Sequence, residues 1–241
     1  MITDFKLFGL QHTAGILITC LLGILFIFFG LRAKTESARK SLRQLLALTI
    51  VIIRAARYVM DIYFGRFDLL DLFSIHICHI DLILLVICLI KPRDVLFNFN
   101  FLIGIPMGLA VALFPGTNHP APGMSRAILF IMSHMMLVVG AVYLLVAERM
   151  KVSLRHCLSY IAAGNAGIFL VYLINRAIGA NFLYIMRAPD GTVIKVLENT
   201  FGWPGYIFAM DALAIVMMML MLLVSQLVSV IKRDSKEAAA G

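Results

Sequence analysis

Cys78 is the residue of this sequence with the most reactive groups close to it. It stands between His76 and His79, and Asp81 follows three residues later. A cysteine acts as an acyl-accepting nucleophile when a neighbouring base or cation helps to form the thiolate. On a regular helix His76 lies about 200° and His79 about 100° around the axis from Cys78. Neither neighbour is therefore well placed to be the base.

His134 belongs to a different apolar segment and is the better candidate for that base. A carboxylate such as Asp81 or Asp211 would orient its imidazole. The catalytic set predicted from the residues is Cys78, His134, His79 and Asp81.

A zinc site is the other chemistry that these residue types support. His76, Cys78, His79 and His134 offer the nitrogen and sulfur ligands that zinc prefers. However, the chain has no HExxH or CxxC spacing, and His76 and Cys78 diverge on a regular helix. We therefore expect no metal and no cofactor, and keep the zinc site as an alternative.

Further ionisable residues stand inside apolar segments, where each costs about 2.5–3.5 kcal/mol to insert. Cations of this kind would hold the phosphate or carboxylate of a lipid headgroup. The predicted substrate-binding residues are Arg54, Arg57, Arg176, Asp211 and His76. Interhelical hydrogen bonding is the plainer explanation for such groups.

The composition predicts one all-α membrane domain that positions these residues. Of 241 residues, 62% are hydrophobic and 14% are charged, against roughly 45–50% and about 25% in soluble domains. Seven segments are long and apolar enough to cross a bilayer. They cover residues 10–31, 44–64, 69–90, 95–114, 125–147, 157–178 and 204–231. We expect a turn-rich loop from Gly179 to Trp203, a seven-span domain over 1–231, and a polar cytoplasmic tail over 232–241.

The charged residues predict the orientation of the chain. Thirteen Lys and Arg fall in the tail and in the loops after spans one, three and five, against five on the other side. The positive-inside rule then puts the N-terminus outside and the C-terminus in the cytoplasm. The net charge of +8 thus reflects topology, and we expect no nucleic-acid partner. The absence of a long glycosylated loop favours an integral, multi-pass protein of a bacterial plasma membrane.

Helical spacing and depth predict that the polar residues share one cavity. Asp71, Ser74, Cys78 and Asp81 would form a single stripe on the third span. Cys78 and His134 each fall about nine residues from the outer end of their spans, or about 14 Å deep. We expect a water-accessible cavity that opens toward the outer leaflet.

Four segments of the chain resemble the YwaF-like family of polytopic membrane proteins. They are Ile75 to Leu82, Ile131 to His134, Asn175 to Pro189, and Gly202 to Ile207. That family includes a vertebrate transmembrane acyltransferase of ether phospholipids, and it is similar in architecture to the androgen-induced membrane hydrolases. The resemblance covers roughly residues 5–230. It implies acyl transfer or ester hydrolysis on lipids, with the family cysteine at Cys78 and the family histidine at His134. His79 departs from the small polar residue that more often follows that cysteine.

Three functions are therefore open. The first is a lipid acyltransferase or acyl-ester hydrolase acting on a membrane phospholipid or another acyl-ester lipid. The second is a proton-coupled transporter that uses the intramembrane Asp, His and Arg residues as a relay. The third is a non-catalytic seven-span scaffold or receptor-like module. The pattern indicates no particular oligomeric state.

Overall fold

The computed structural model describes residues 6–65, 67, 75–115 and 124–238, with side chains up to Leu227 except that of Met124. All regular elements in these ranges are helical, which confirms the all-α prediction. We number the α-helices in chain order. They are α1 (Leu10–Arg32), α2 (Glu36–Tyr63), α3 (Ile77–Ile90), α4 (Asp94–Phe99), α5 (Ile105–Leu113), α6 (Met124–Val146), α7 (Leu154–Ile178) and α8 (Val193–Ala238).

Five helical stretches are long and apolar enough to cross a membrane. They are Leu10–Arg32, Asp94–Leu113, Ser125–Val146, Leu154–Ile178 and Val193–Leu227. This supports the prediction of a multi-pass membrane protein. The other two predicted spans coincide with α2, whose apolar part carries Arg54, Arg57 and Asp61, and with α3, which has 14 residues.

Of the third predicted span, 69–90, the structure describes residues 75–90. Residues 69–74, including Asp71 and Ser74 of the expected stripe, lie outside the described residues. His76 has an extended backbone (φ −81°, ψ 136°), and the helix begins only at Ile77. His76 precedes the helix, so the separation of about 200° around a regular helix axis does not describe its position relative to Cys78.

The fourth span is composed of three helical pieces. A π-helical turn, Asn100–Gly104, joins α4 to α5, and Pro106 lies in the first turn of α5. Asn98 holds α4, the first of these pieces, in place. Its side-chain amide N–H donates to the carbonyl of Lys151 at 3.1 Å, and its amide oxygen accepts from the backbone N–H of Ser153 at 2.7 Å. The π turn is the feature of this span that the sequence did not indicate.

Helix α6 is the centre of the bundle. It packs against α1, α2, α3, α5 and the π turn. Glycines bring α1 close to it, because a Cβ at Gly15 or Gly23 would lie 2.9 Å from Ile131 or Val139. At the cytoplasmic end predicted from the charges, Arg43 of α2 donates to Glu148, just after α6, at 2.6 Å and to Glu36 at 3.1 Å.

Helix α8 begins earlier than predicted and is interrupted. The segment Gly179 to Trp203 was expected to be a loop, but it contains a 3₁₀ turn, Phe182–Tyr184, and the first residues of α8. Gly202 breaks α8 with φ 62° and ψ −179°, a backbone conformation that is essentially restricted to glycine. Trp203 is extended, and helix resumes at Pro204.

Candidate functional site

The polar cluster of this protein is built around the first turn of α3. Cys78 is the second residue of that helix and is a free, half-buried thiol. The backbone N–H groups of Ile77 and Cys78 belong to the set that has no acceptor within a helix. The next two N–H groups, of His79 and Ile80, both donate to the carbonyl of His76. Cys78 thus lies where a helix presents N–H groups to a negative charge.

Cys78 and His79 interact electrostatically with residues from other helices. Cys78 interacts with Asp81 and Arg54. His79 interacts with Arg54, Arg57, His76 and His134, and its Nδ1 is buried with no hydrogen-bond partner among the described residues.

His76 is stacked on the 3₁₀ turn that precedes α8. Its ring centroid lies 4.6 Å from that of Tyr184 at an interplanar angle of 37°, and it meets Phe182 edge-on at 6.0 Å. His79 lies 6.1 Å away, also edge-on. This stacking explains why the backbone is extended at His76: the ring is held by the turn, and the helix begins one residue later.

His134 is held in a defined orientation on α6. It is 7% exposed, and its Nδ1 lies 2.9 Å from the carbonyl oxygen of Phe130. A carbonyl can only accept, so Nδ1 carries the hydrogen and Nε2 carries the lone pair. The ring centroid also lies 4.5 Å from that of Phe130. The geometry gives His134 the tautomer that a general base needs at Nε2.

Asp81 is buried against the π turn of the fourth span. It is 1% exposed, and neither carboxylate oxygen has a hydrogen-bond partner among the described residues. A side chain at Gly104 would collide with this carboxylate. Gly108, one turn later, brings α5 against the backbone of His134, because a Cβ there would lie 2.6 Å from that carbonyl oxygen. Gly104 and Gly108 therefore allow the fourth span to approach Asp81 and His134 closely.

The cations of α2 are arranged beside this cluster. Arg57 lies 3.5 Å from Asp61, and Asp61 also forms a short ion pair with Arg126 of α6. The guanidinium of Arg57 lies 4.9 Å from the ring centroid of Phe130. Arg54 donates to the hydroxyl of Tyr58 at 2.8 Å. The two guanidinium groups of Arg57 and Arg126 outnumber the single carboxylate of Asp61. The net positive charge of this group would attract an anion.

Two of the predicted substrate-binding residues lie elsewhere. Arg176 is exposed near the end of α7. Asp211 lines a groove between α7 and α8. Asn175 is the polar residue of α7 that is buried: its amide donates to Phe182 at 3.0 Å and accepts from it at 2.8 Å.

The described residues contain no group of three or more His, Cys, Asp or Glu side chains placed to hold a metal ion. The extended backbone at His76 turns that imidazole toward Tyr184. The zinc alternative therefore gains no support from the described residues.

Three participants in this cluster were not recognised in the sequence. Arg126 lies at the outer end of the predicted span 125–147 and enters the orientation count on the outer side, and it pairs with Asp61 at a separation of 65 residues. Gly104 and Tyr184 were unassigned. A charged residue inside a predicted span was the one sequence signal that could have identified Arg126. Gly104 and Tyr184 act through packing and ring contact, for which the local sequence gives no signal.

Comparison with protein-family models gives a match to the TMEM164 family over residues 7–222. This range covers the whole cluster and all but the last residues of the apolar part of α8. No curated protein and no solved structure matches the chain.

Proposed function

This chain belongs to the TMEM164 family, and we propose that it is a membrane-embedded lipid acyltransferase or acyl-ester hydrolase. The observation that carries the proposal is the position of Cys78. It is a half-buried thiol on the first turn of a helix, where the helix presents backbone N–H groups.

In the proposed mechanism Cys78 attacks the carbonyl carbon of an acyl ester. In this proposal the thiol proton passes to Nε2 of His134. The carbonyl oxygen becomes an oxyanion, which the N–H groups of Ile77 and Cys78 stabilise. Collapse of this intermediate breaks the ester C–O bond, and His134 returns the proton to the leaving alcohol. The thioester on Cys78 is then transferred to an acceptor hydroxyl or hydrolysed by water.

The cations beside the cluster would bind the headgroup of the lipid. Arg57 and Arg126 around Asp61, with Arg54 close to Cys78, supply a positive surface for a phosphate. The substrate of this proposal is a phospholipid or another acyl-ester lipid with an anionic group close to the ester.

We propose the seven-span topology with the N-terminus outside, in which α2 and α3 complete the five clear spans. The excess of Lys and Arg in the loops assigned to the cytoplasm supports this orientation. A bacterial plasma membrane is the proposed location, supported by the short connections between helices.

The test uses the full chain in vesicles of a phospholipid with a labelled acyl chain. Release of the labelled acid, or its transfer to a second lipid, is expected from the parent protein and from Cys20→Ala, in which an exposed cysteine of α1 is removed. Cys78→Ala is expected to lose the activity. Equal activity of the two variants would contradict the proposed nucleophile.

A proton-coupled transporter is the second candidate, and Asp81 favours it. A buried carboxylate without a hydrogen-bond partner among the described residues, next to a π turn, is typical of a site that binds and releases a proton. Proton influx would be measured with a pH-sensitive dye in vesicles that carry an imposed potential. Influx that is lost in Asp81→Asn and kept in Cys78→Ala would favour the transporter over the enzyme.

A further inference from the structure

The groove between α7 and α8 that Asp211 lines is a candidate binding site. It has a volume of about 360 Å³, within the range of pockets that hold small molecules. Its walls are mostly apolar, and four aromatic side chains contribute to them: Phe169 and Tyr172 of α7, and Trp203 and Phe208 of α8. Both helices are candidate membrane spans, so lipid would be able to reach the groove in the proposed topology.

Asp211 gives this apolar groove a single negative charge. It lines the cavity two turns beyond Pro204, and no described residue forms an ion pair or a hydrogen bond with it. A carboxylate inside a span is costly and indicates a function with a partner of opposite charge. The chain itself supplies no such partner among the residues that the structure describes.

Adjacent residues at the end of the 3₁₀ turn contact the groove and the cluster around Cys78. Ile185, which lines the groove, is fully buried, and its carbonyl accepts from the indole N–H of Trp203 at 3.3 Å. Tyr184, the preceding residue, stacks on His76. The orientation of Trp203 is therefore fixed by the chain, whereas the residue remains 55% exposed.

We propose that this groove binds a membrane lipid through an ammonium headgroup. Aromatic faces attract an ammonium cation, and Asp211 neutralises it. A divalent metal ion would need several oxygen ligands, and the groove offers one carboxylate. The apolar walls formed by α7 and α8 accept the adjoining part of an acyl chain. This inference does not depend on acyl transfer at Cys78.

Trp203 provides a direct measurement because it is the only tryptophan in the sequence. The full chain is reconstituted in phosphatidylglycerol vesicles, and a lipid with brominated acyl chains is added as a quencher. Brominated phosphatidylcholine is compared with brominated phosphatidylglycerol at the same mole fraction. Stronger quenching by the choline lipid is expected, because only that lipid carries an ammonium group.

Asp211→Asn keeps the shape of the side chain and removes its charge. We expect the preference for the choline lipid to fall by about tenfold, and Asp190→Asn, an exposed acid outside the groove, to retain it. Cys78→Ala is also expected to retain it. Loss of acyl transfer together with unchanged quenching would therefore separate the two proposals.

The aromatic wall is tested separately, which covers the case in which Asp211→Asn does not fold. Phe208 is 72% exposed and lines the groove, whereas Phe201 is exposed outside it. Phe208→Leu should lower the preference by about two- to fivefold, and Phe201→Leu should leave it unchanged. Equal quenching by both lipids in the parent protein, or an unchanged preference in Phe208→Leu, would overturn the proposal.

Discussion

His134 combines a structural and a chemical role, and a substitution can separate them. Asparagine can keep the hydrogen bond to Phe130, since Asn100 and Asn165 of this chain donate to their own i−4 carbonyls at 2.7 and 2.9 Å. It has no basic nitrogen to take the place of Nε2. We expect His134→Asn to fold with a nearly unchanged melting temperature and to lose acyl transfer by about 10²–10⁴-fold. A variant that unfolds would indicate a structural role, and one that stays active would contradict the assignment of the base.

Gly104 is required by the position of Asp81. A methyl group there collides with the carboxylate, so Gly104→Ala should lower the free energy of unfolding by about 1–3 kcal/mol. A Cβ at Gly164 of α7 would have no neighbour within 4 Å, and Gly164→Ala should be neutral or stabilising by about 0.5–1 kcal/mol. Thermal unfolding in detergent compares the two. Adding Asp81→Ala to Gly104→Ala should restore stability, and equal effects of the two glycine variants would contradict the contact.

The sequence predicted the residue types of the site better than their partners. Polar residues inside apolar segments pointed to Cys78, His79, Asp81 and His134, because burial of such groups in a membrane needs a reason. The pairing of Arg126 with Asp61 was not predictable, since it depends on how α2 and α6 pack. Local sequence carries no signal for a contact between residues 65 positions apart.

At the level of the helices, Asp61 joins α2 to α6. It is 1% exposed and pairs with Arg57 on its own helix and with Arg126 on α6. Asp61→Asn leaves two guanidinium groups without their carboxylate, which typically costs about 3–5 kcal/mol in a buried site. We expect a large drop in melting temperature.

The matched control for this prediction is Asp190, whose contact with Lys195 is 3.7 Å and whose side chain is 69% exposed. Asp190→Asn should change the free energy of unfolding by less than about 1 kcal/mol. Similar destabilisation by both variants would mean that Asp61 contributes no more than a surface pair.

Helix ends were predicted well where composition changes and poorly where packing decides. The expected bounds 10–31 and 125–147 lie close to Leu10–Arg32 and Met124–Val146, because polar residues flank these apolar runs. The start of α3 at Ile77 lies inside the predicted span 69–90, which was expected to be one continuous helix. At that point His76 contacts Tyr184, a residue of the distant 3₁₀ turn, and the helix begins one residue later.

At the scale of the whole molecule, the helices differ in the fraction of their residues that is buried against the rest of the protein. In the apolar windows of α7 and α8, 11% of the residues are buried, against 67% in that of α6. Helix α6 is therefore the interior of the bundle, and α7 and α8 present most of their surface to the surroundings. This arrangement agrees with a lipid-facing groove between them.

The proposed orientation makes a prediction for the whole chain. A fluorescent protein fused to the C-terminus should fluoresce, because such proteins mature in the cytoplasm, whereas alkaline phosphatase at the same place should be inactive. The excess of Lys and Arg in the loops assigned to that side is the physical reason. Active phosphatase at the C-terminus would show that the chain has the opposite topology, in which Cys78 lies toward the inner leaflet.

The π turn at Asn100–Gly104 divides the fourth span into two halves with different rotational phase. Before the turn, Asn98 of α4 is fixed by Lys151 and Ser153. At its last residue and in α5, Gly104 and Gly108 approach Asp81 and His134. Excision of one residue from the turn would restore an ordinary helix and rotate one half against the other by about 100°. Both halves could then no longer keep their contacts, so the residue count of this short segment sets the alignment of the site with the cytoplasmic end of the span.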